Sequence, residues 1–229
     1  MSVTPTNNFV TVFDVETSGL IPKNLPKDCS ITPIDIYPYI LQLSFIVYDL
    51  NSKQIVQKYN EYIRPPDKLF ISPKITEITG ITRELCVEKG INIVDALEAF
   101  YRAYINSRYI VAHNISFDQT LIEVEVHRNM NLLRDKNINP LCLFNTLYNK
   151  IHNIKLCCTM KLGKNICNII SERKSETTIT NIVYKKFPKL SELHQKLFEY
   201  IPENLHDAYV DTYACLKCYL KINHELDLE

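Results

Sequence analysis

Apolar and polar positions divide the chain into segments of two kinds, one repeating every second residue and the other every third or fourth. Residues 9–14, Phe-Val-Thr-Val-Phe-Asp, are β-branched and aromatic and read as a strand, which Thr17-Ser18-Gly19-Leu20 breaks. Residues 40–49 read as a second strand. Residues 55–64 alternate well enough to be its hairpin partner, stopped by Pro65-Pro66. Three strands in a row imply an antiparallel meander. Prolines at 22, 26, 33 and 38 mark a surface loop, an insertion over about 21–39. Farther on, Ile93, Leu97, Phe100 and Tyr104 recur at helical spacing. Tyr109–Ala112 is a short buried strand, and residues 116–130 form another helix. The polar, Asn- and Lys-rich stretch 131–187 reads as irregular, with one strand near Leu156–Thr159. A helix over about 190–200, carried by Leu190, Leu193 and Leu197, precedes a final helix from about 207 to 222. The pattern is α/β, and 229 residues suit a single domain over 1–229.

Composition narrows the partners. The apolar fraction of 46% and charged fraction of 23% are those of an ordinary globular chain. No window of 18 uninterrupted apolar residues exists, and the N-terminus lacks the basic and apolar regions of a signal peptide. The expectation is an intracellular protein, in cytoplasm or nucleus, with no membrane partner. Abundant Ile, Asn, Lys and Tyr beside four Gly and no Trp fit an AT-rich genome, a viral or parasitic one included. Eight cysteines are expected to be free, since nothing directs the chain to an oxidising compartment. With 26 basic and 26 acidic residues, bulk electrostatics cannot hold nucleic acid. Any such contact must be local or routed through bound metal.

Three clusters carry candidate chemistry, and each has a structural alternative. In Phe13-Asp14-Val15-Glu16-Thr17, strand alternation puts Asp14 and Glu16 on one face. Two carboxylates about 4 Å apart at an effective dielectric near 20 repel by about 4 kcal/mol. A divalent cation removes that penalty, and oxygen ligands select Mg²⁺ or Mn²⁺ over zinc. The alternative is a solvated strand end. In His113-Asn114-Ile115-Ser116-Phe117-Asp118, Asp118 falls in the first turn of a helix, where the dipole stabilises a carboxylate whatever its role. His113 reads as a structural histidine at a strand end. In His206-Asp207-Ala208-Tyr209-Val210-Asp211, His206 and Asp211 lie about 140° apart on an ideal helix. They converge only if His206 sits on the loop or first turn and Asp211 lies inside the helix. A histidine beside a metal site is a natural general base at neutral pH.

In this order, D-x-E, H-N-x-x-F-D and H-x-A-x-x-D resemble the three motifs of the DEDD (DnaQ-like) 3′→5′ exonuclease superfamily, in its histidine-base branch. That branch includes the proofreading subunit of bacterial replicative polymerase, RNase T, oligoribonuclease and the three-prime repair exonucleases. The resemblance runs from about residue 9 to 220. Ile78-Thr79-Gly80-Ile81-Thr82 and Phe187-Pro188-Lys189-Leu190 are further echoes of it.

The resemblance implies a ribonuclease H-like fold, a mixed five-stranded sheet flanked by helices. It implies that Asp14, Glu16, Asp118 and Asp211 hold two Mg²⁺ or Mn²⁺ ions, Asp14 bridging them, with His206 as the base. It also implies that Thr17, Ser18, Gly19 and Leu20 meet the terminal nucleotide, that Asn114 supports the substrate or the adjacent carboxylate, and that nucleoside 5′-monophosphates leave from the 3′ end. The implied partner is a single-stranded 3′ end, DNA favoured, in proofreading or DNA repair. The alternative is an exoribonuclease acting on RNA or short oligoribonucleotides. A catalytically inactive nucleic-acid-binding module is a further alternative, which the presence of all five residues disfavours. With no polymerase sequence attached, a free-standing enzyme is expected. Lys185, Lys186 and Lys189 read either as a phosphate contact or as a solvated face. Cys215 and Cys218 could bind zinc with Cys157 and Cys158, but their helical spacing from Asp211 makes them core thiols.

Overall fold

The computed structural model describes residues 8–23, 34–174 and 181–228. β1 (Phe9–Thr17), β2 (Ile40–Asp49) and β3 (Gln54–Tyr62) form the expected meander. The helices α1 (Pro73–Thr79), α2 (Arg83–Lys89) and α3 (Ile93–Ile105) follow, and β4 (Tyr109–Ala112) then runs parallel to β1. After β4 come α4 (Ile115–Arg128), α5 (Met130–Asp135), α6 (Thr146–Ile151) and β5 (Lys155–Cys158), which is parallel to β4. The chain continues through α7 (Thr159–Cys167), β6 (Ile170–Lys174), β7 (Asn181–Lys185), α8 (Leu190–Phe198) and α9 (Ala208–His224). The main sheet has the order β3-β2-β1-β4-β5, and β6 and β7 form a separate two-stranded sheet. The mixed five-stranded sheet flanked by helices is the expected architecture.

Alternation along β1 decides what lies on each face. Phe13 and Val15 point into the larger core, with Phe45, Leu97, Phe100 and Leu121. Phe13 and Phe100 meet at 4.9 Å between ring centroids, their planes tilted by 47°. Val10 and Val12 point the other way and pack with Ile46, Tyr48, Leu216 and Tyr219 beneath α9. Asp14 and Glu16 continue that second face, so they emerge where α9 begins.

Several expectations change. β1 extends through the D-x-E motif to Thr17, because β2 goes on pairing with it and carries a bulge between Glu16 and Thr17. Residues 73–89, without helical expectation, hold two short helices. Ser72 and Thr82 cap them, and Gly80 closes the first at φ 72°, so the Ile-Thr-Gly-Ile-Thr segment is a helix stop followed by a helix start. The stretch 131–187 is not irregular among its described residues. It holds parts of α5, all of α6 and α7, and three strands, each too short for its period to register. Residues 24–33 of the expected 21–39 insertion, and Cys29, lie outside the described residues.

Arg128 holds much of the described end of that insertion. Arg128 donates to the carbonyls of Ile34 at 2.8 Å, Tyr37 at 2.7 Å and Pro38 at 3.0 Å, and its guanidinium lies 3.8 Å from the Tyr39 ring centroid. It also pairs with the buried carboxylate of Glu125 at 2.7 Å. Arg128→Met would strand that carboxylate and lower stability by about 3–5 kcal/mol. Urea denaturation checks this. Glu125→Gln/Arg128→Met together should recover part of the loss, and no recovery would contradict the pairing argument.

Candidate active site

Four carboxylates arrive from three elements. Asp14 and Glu16 stand opposite Ser44 and Gln42 on the α9 face of β1. Asp118, in the first turn of α4, is 3% exposed. Its Oδ1 accepts a hydrogen bond from the Val15 amide at 3.2 Å, beyond the point where β1 stops pairing with β4. Asp211, in the first turn of α9, accepts from the His206 amide at 3.4 Å. His206 precedes the helix at φ 75° and is exposed. That left-handed turn is what lets it reach the same side as Asp211 despite their spacing. Ligand atoms of Glu16, His206 and Asp211 all lie within 4.8 Å of one another.

The electrostatics are those of crowded acids. Burial, then Asp211, Asp118 and Asp207, pushes Glu16 up to about 8. Asp14 is held well above the carboxylate range, first by burial and then by Asp118, Asp211, Glu16 and Asp207. Burial also raises Asp118 and Asp211. Among the described residues none of these acids has a Lys or Arg ion-pair partner. A donor set of carboxylate oxygens with one imidazole, lacking its own cation, fits a hard divalent ion.

Two residues that the motifs did not single out hold this arrangement together. Asp207 caps α9, its Oδ1 accepting from the Tyr209 and Val210 amides at 3.0 and 3.1 Å. Gln42, 1% exposed in β2, donates through Nε2 to Asp207 at 3.2 Å and to Asn60 at 2.9 Å. Its Oε1 accepts from the Ala208 amide at 3.3 Å. Gln42 thus ties the central sheet to the turn carrying His206 and Asp211. The signal was available: a glutamine amid the apolar run of β2.

The other candidates divide. Thr17 donates its hydroxyl to the Gly19 carbonyl at 2.7 Å, and the Ser18 hydroxyl accepts from the Tyr39 amide at 2.9 Å. Both hydroxyls therefore shape the turn that presents Leu20, which is 83% exposed. A Cβ at Gly19 would meet only Pro38, at 4.0 Å, so packing does not require glycine there. Asn114 starts α4 at φ 65° without a side-chain capping bond. His113 is bonded at both nitrogens, to Thr159 at 2.9 Å and the Pro188 carbonyl at 3.1 Å, and burial pushes it down to about 4. It is a neutral structural residue. Lys186 is paired with Glu192 at 2.6 Å. The described cysteines are all free, and Cys215 and Cys218 are buried.

The exonuclease family model of RNase T matches residues 11–219. DNA polymerase III PolC-type of Bacillus subtilis is 30% identical over 147 residues, 63% of this chain and 9% of the relative. The 3′-5′ exonuclease DinG of the same organism is 30% identical over 117 residues, 51% of this chain and 11% of the relative. The chain therefore matches about a tenth of the length of these relatives. Escherichia coli Exonuclease I, solved with a dT13 oligonucleotide, shares the fold with a TM-score of 0.63 at 17% identity, covering 95% of this chain and 42% of that one. None of the described helices is long and apolar enough to cross a membrane. With a ribonuclease H-like sheet, the three motifs gathered at one end of it and a family match spanning nearly all of its length, the chain belongs to the RNase T exonuclease family, within the DEDD 3′→5′ exonuclease superfamily.

Proposed function

We propose that the chain is a single exonuclease domain that removes nucleoside 5′-monophosphates from the 3′ end of single-stranded nucleic acid, DNA favoured, using divalent metal. The observation that carries this reading is the meeting of Glu16, Asp211 and His206 within 4.8 Å, beside half-buried Asp14 and buried Asp118. The DNA preference is supported by the relatives: one is a DNA polymerase, and Exonuclease I was solved with oligothymidylate and with a dA16 oligonucleotide. Exonuclease I was also solved with zinc bound. An editing or repair role is part of the same proposal.

Asp14, Glu16, Asp118 and Asp211 would hold two Mg²⁺ or Mn²⁺ ions. Such ions, when bound, supply charge stabilisation for the attacking and leaving oxygens of an in-line displacement. His206, exposed and unencumbered by the core, takes the proton from the attacking water. Water oxygen bonds to phosphorus, the bond from phosphorus to the 3′ oxygen of the preceding nucleotide breaks, and that oxygen takes a proton from solvent to leave as the new 3′ hydroxyl, while His206 gives its proton up to solvent. Leu20 packs against the terminal base, and the Thr17–Gly19 turn, open at Gly19, brings backbone up to it. Asn114 flanks the same end from the start of α4.

Matched DNA and RNA oligonucleotides labelled at the 5′ end test the reading in one time course with Mg²⁺ or Mn²⁺. DNA should shorten stepwise and faster; an inert protein on both substrates would sink it. His206→Ala should lower kcat by roughly 10²–10⁴-fold with little change in KM, the range for losing a general base. A comparable rise in KM with kcat intact would instead make His206 a binding residue.

A further inference from the structure

We propose that the β6–β7 arm and its root, on the α7 side of the carboxylates, form a landing for single-stranded nucleic acid lying 5′ of the residue being removed. The inference rests on the exonuclease reading above and extends it to nucleotides beyond the reacting one.

The arm pairs with no other strand of the described chain. An isolated hairpin is marginally stable in water, yet this one exposes apolar groups on both faces. Ile170 and Val183, each 60% exposed, lie on one face; Ile182 and Tyr184, 40% and 42% exposed, lie on the other. Its root is fixed to the catalytic end of the sheet. The Pro188 carbonyl is bonded to His113, the neighbour of Asn114. A Cβ at Gly163 would meet Leu193 at 2.8 Å and Pro188 at 3.1 Å, so α7 packs directly on the root.

Charge and aromatic surface select the occupant. Phe187, 45% exposed, has the Lys164 ammonium 4.5 Å from its ring centroid. Lys161, Lys185 and Lys189 have no carboxylate ion-pair partner among the described residues, whereas Lys186 does. Lysines interleaved with an exposed ring suit a strand, whose bases stack on aromatic faces and whose phosphates seek cations. They also answer the chain's zero net charge: on this proposal, cations at the root of the arm, not among the acids, meet the phosphates 5′ of the cut.

The test compares a twelve-nucleotide oligothymidylate with a dinucleotide, which is too short to reach the arm. Lys161→Ala/Lys185→Ala/Lys189→Ala should raise KM for the twelve-mer about tenfold and leave kcat and dinucleotide cleavage unchanged. In Asp14→Asn protein, which binds without degrading, the same triple change should flatten the slope of log affinity on log salt by about 2, at roughly 0.7 for each single-strand phosphate that is no longer neutralised. Phe187→Leu should weaken twelve-mer binding roughly tenfold and leave that slope alone. An unchanged slope and KM, as expected if the arm serves a protein partner, overturns the inference. Equal losses on dinucleotide and twelve-mer also overturn it, since they report a structural effect. Wild-type protein that cleaves neither substrate overturns the exonuclease reading itself.

Discussion

Asp14→Asn is expected to abolish strand shortening, by at least roughly 10³-fold, while leaving the protein folded and, without metal, more stable. Asp14 sits among Asp118, Asp211, Glu16 and Asp207, and burial with these like charges holds its carboxyl well above the usual range. An amide of the same shape removes one charge from that crowd. It also removes a carboxylate that feels Asp118, Asp211, Glu16 and Asp207, which on the proposed reading is a cation ligand. Initial rates with Mg²⁺ measure the first effect, and thermal unfolding in EDTA at pH 8 the second. Activity within tenfold of the wild type would show that Asp14 is not a ligand. A lower melting temperature in EDTA would show that its charge is not a burden to the fold.

Stripped of divalent ions, the protein should lose stability as pH rises from about 4.5 to about 8. Glu16 ordinarily titrates at 4.5 and stands at about 8 in the folded chain. Between those values the folded state holds a proton that the unfolded state has released, so acid favours folding. The contribution is complete below 4.5 and disappears as pH passes through the folded value. Allowing for the partial exposure of Glu16, it amounts to about 2–3 kcal/mol. Asp14, Asp118 and Asp211 are displaced in the same direction and reinforce it. Metal should reverse the trend, because ions bind the ionised site and stabilise by mass action. Thermal scans in EDTA and in Mg²⁺ at pH 5 and pH 8 check both parts. The metal-induced shift should be large at pH 8 and small at pH 5; a shift of equal size at both would contradict the linkage.

Much of this was legible in the residues. β1 announced itself through a β-branched and aromatic run, β3 through alternation, β4 as a short buried strand, and α3 through the spacing of Ile93, Leu97, Phe100 and Tyr104. The carboxylates were legible through their order, since each motif alone had a structural alternative. The demand that His206 sit on the loop or first turn followed from helical geometry, and its turn at φ 75° ahead of α9 satisfies it. What stayed hidden has physical reasons. α1, α2 and α6 have six or seven residues each, less than two turns, so no apolar stripe develops. β6 and β7 expose apolar groups on both faces, so they show no alternation. Arg128 organises residues some ninety positions earlier through backbone carbonyls, which have no side-chain signature. Asp207 was visible as a residue, but its tie to Gln42 spans 165 positions.

That tie has a meaning for folding as well as for chemistry. β2 is buried from Ile40 through Tyr48, so both of its sides are lined by covered residues and apolar alternation cannot tell it how to align with its neighbours. Gln42 and Ser44 can. With β2 in place, Gln42 reaches Asp207, Asn60 and the Ala208 amide, and Ser44 reaches the Tyr59 carbonyl. A slip by one residue would turn both polar side chains into the layer of Phe13 and Phe100 and press leucines against the carboxylates. The misaligned strand would then bury polar atoms without partners, a penalty of about 1–3 kcal/mol for each. The residues that aim the acids thus also proofread the sheet, so a molecule that pairs its strands wrongly cannot assemble the site.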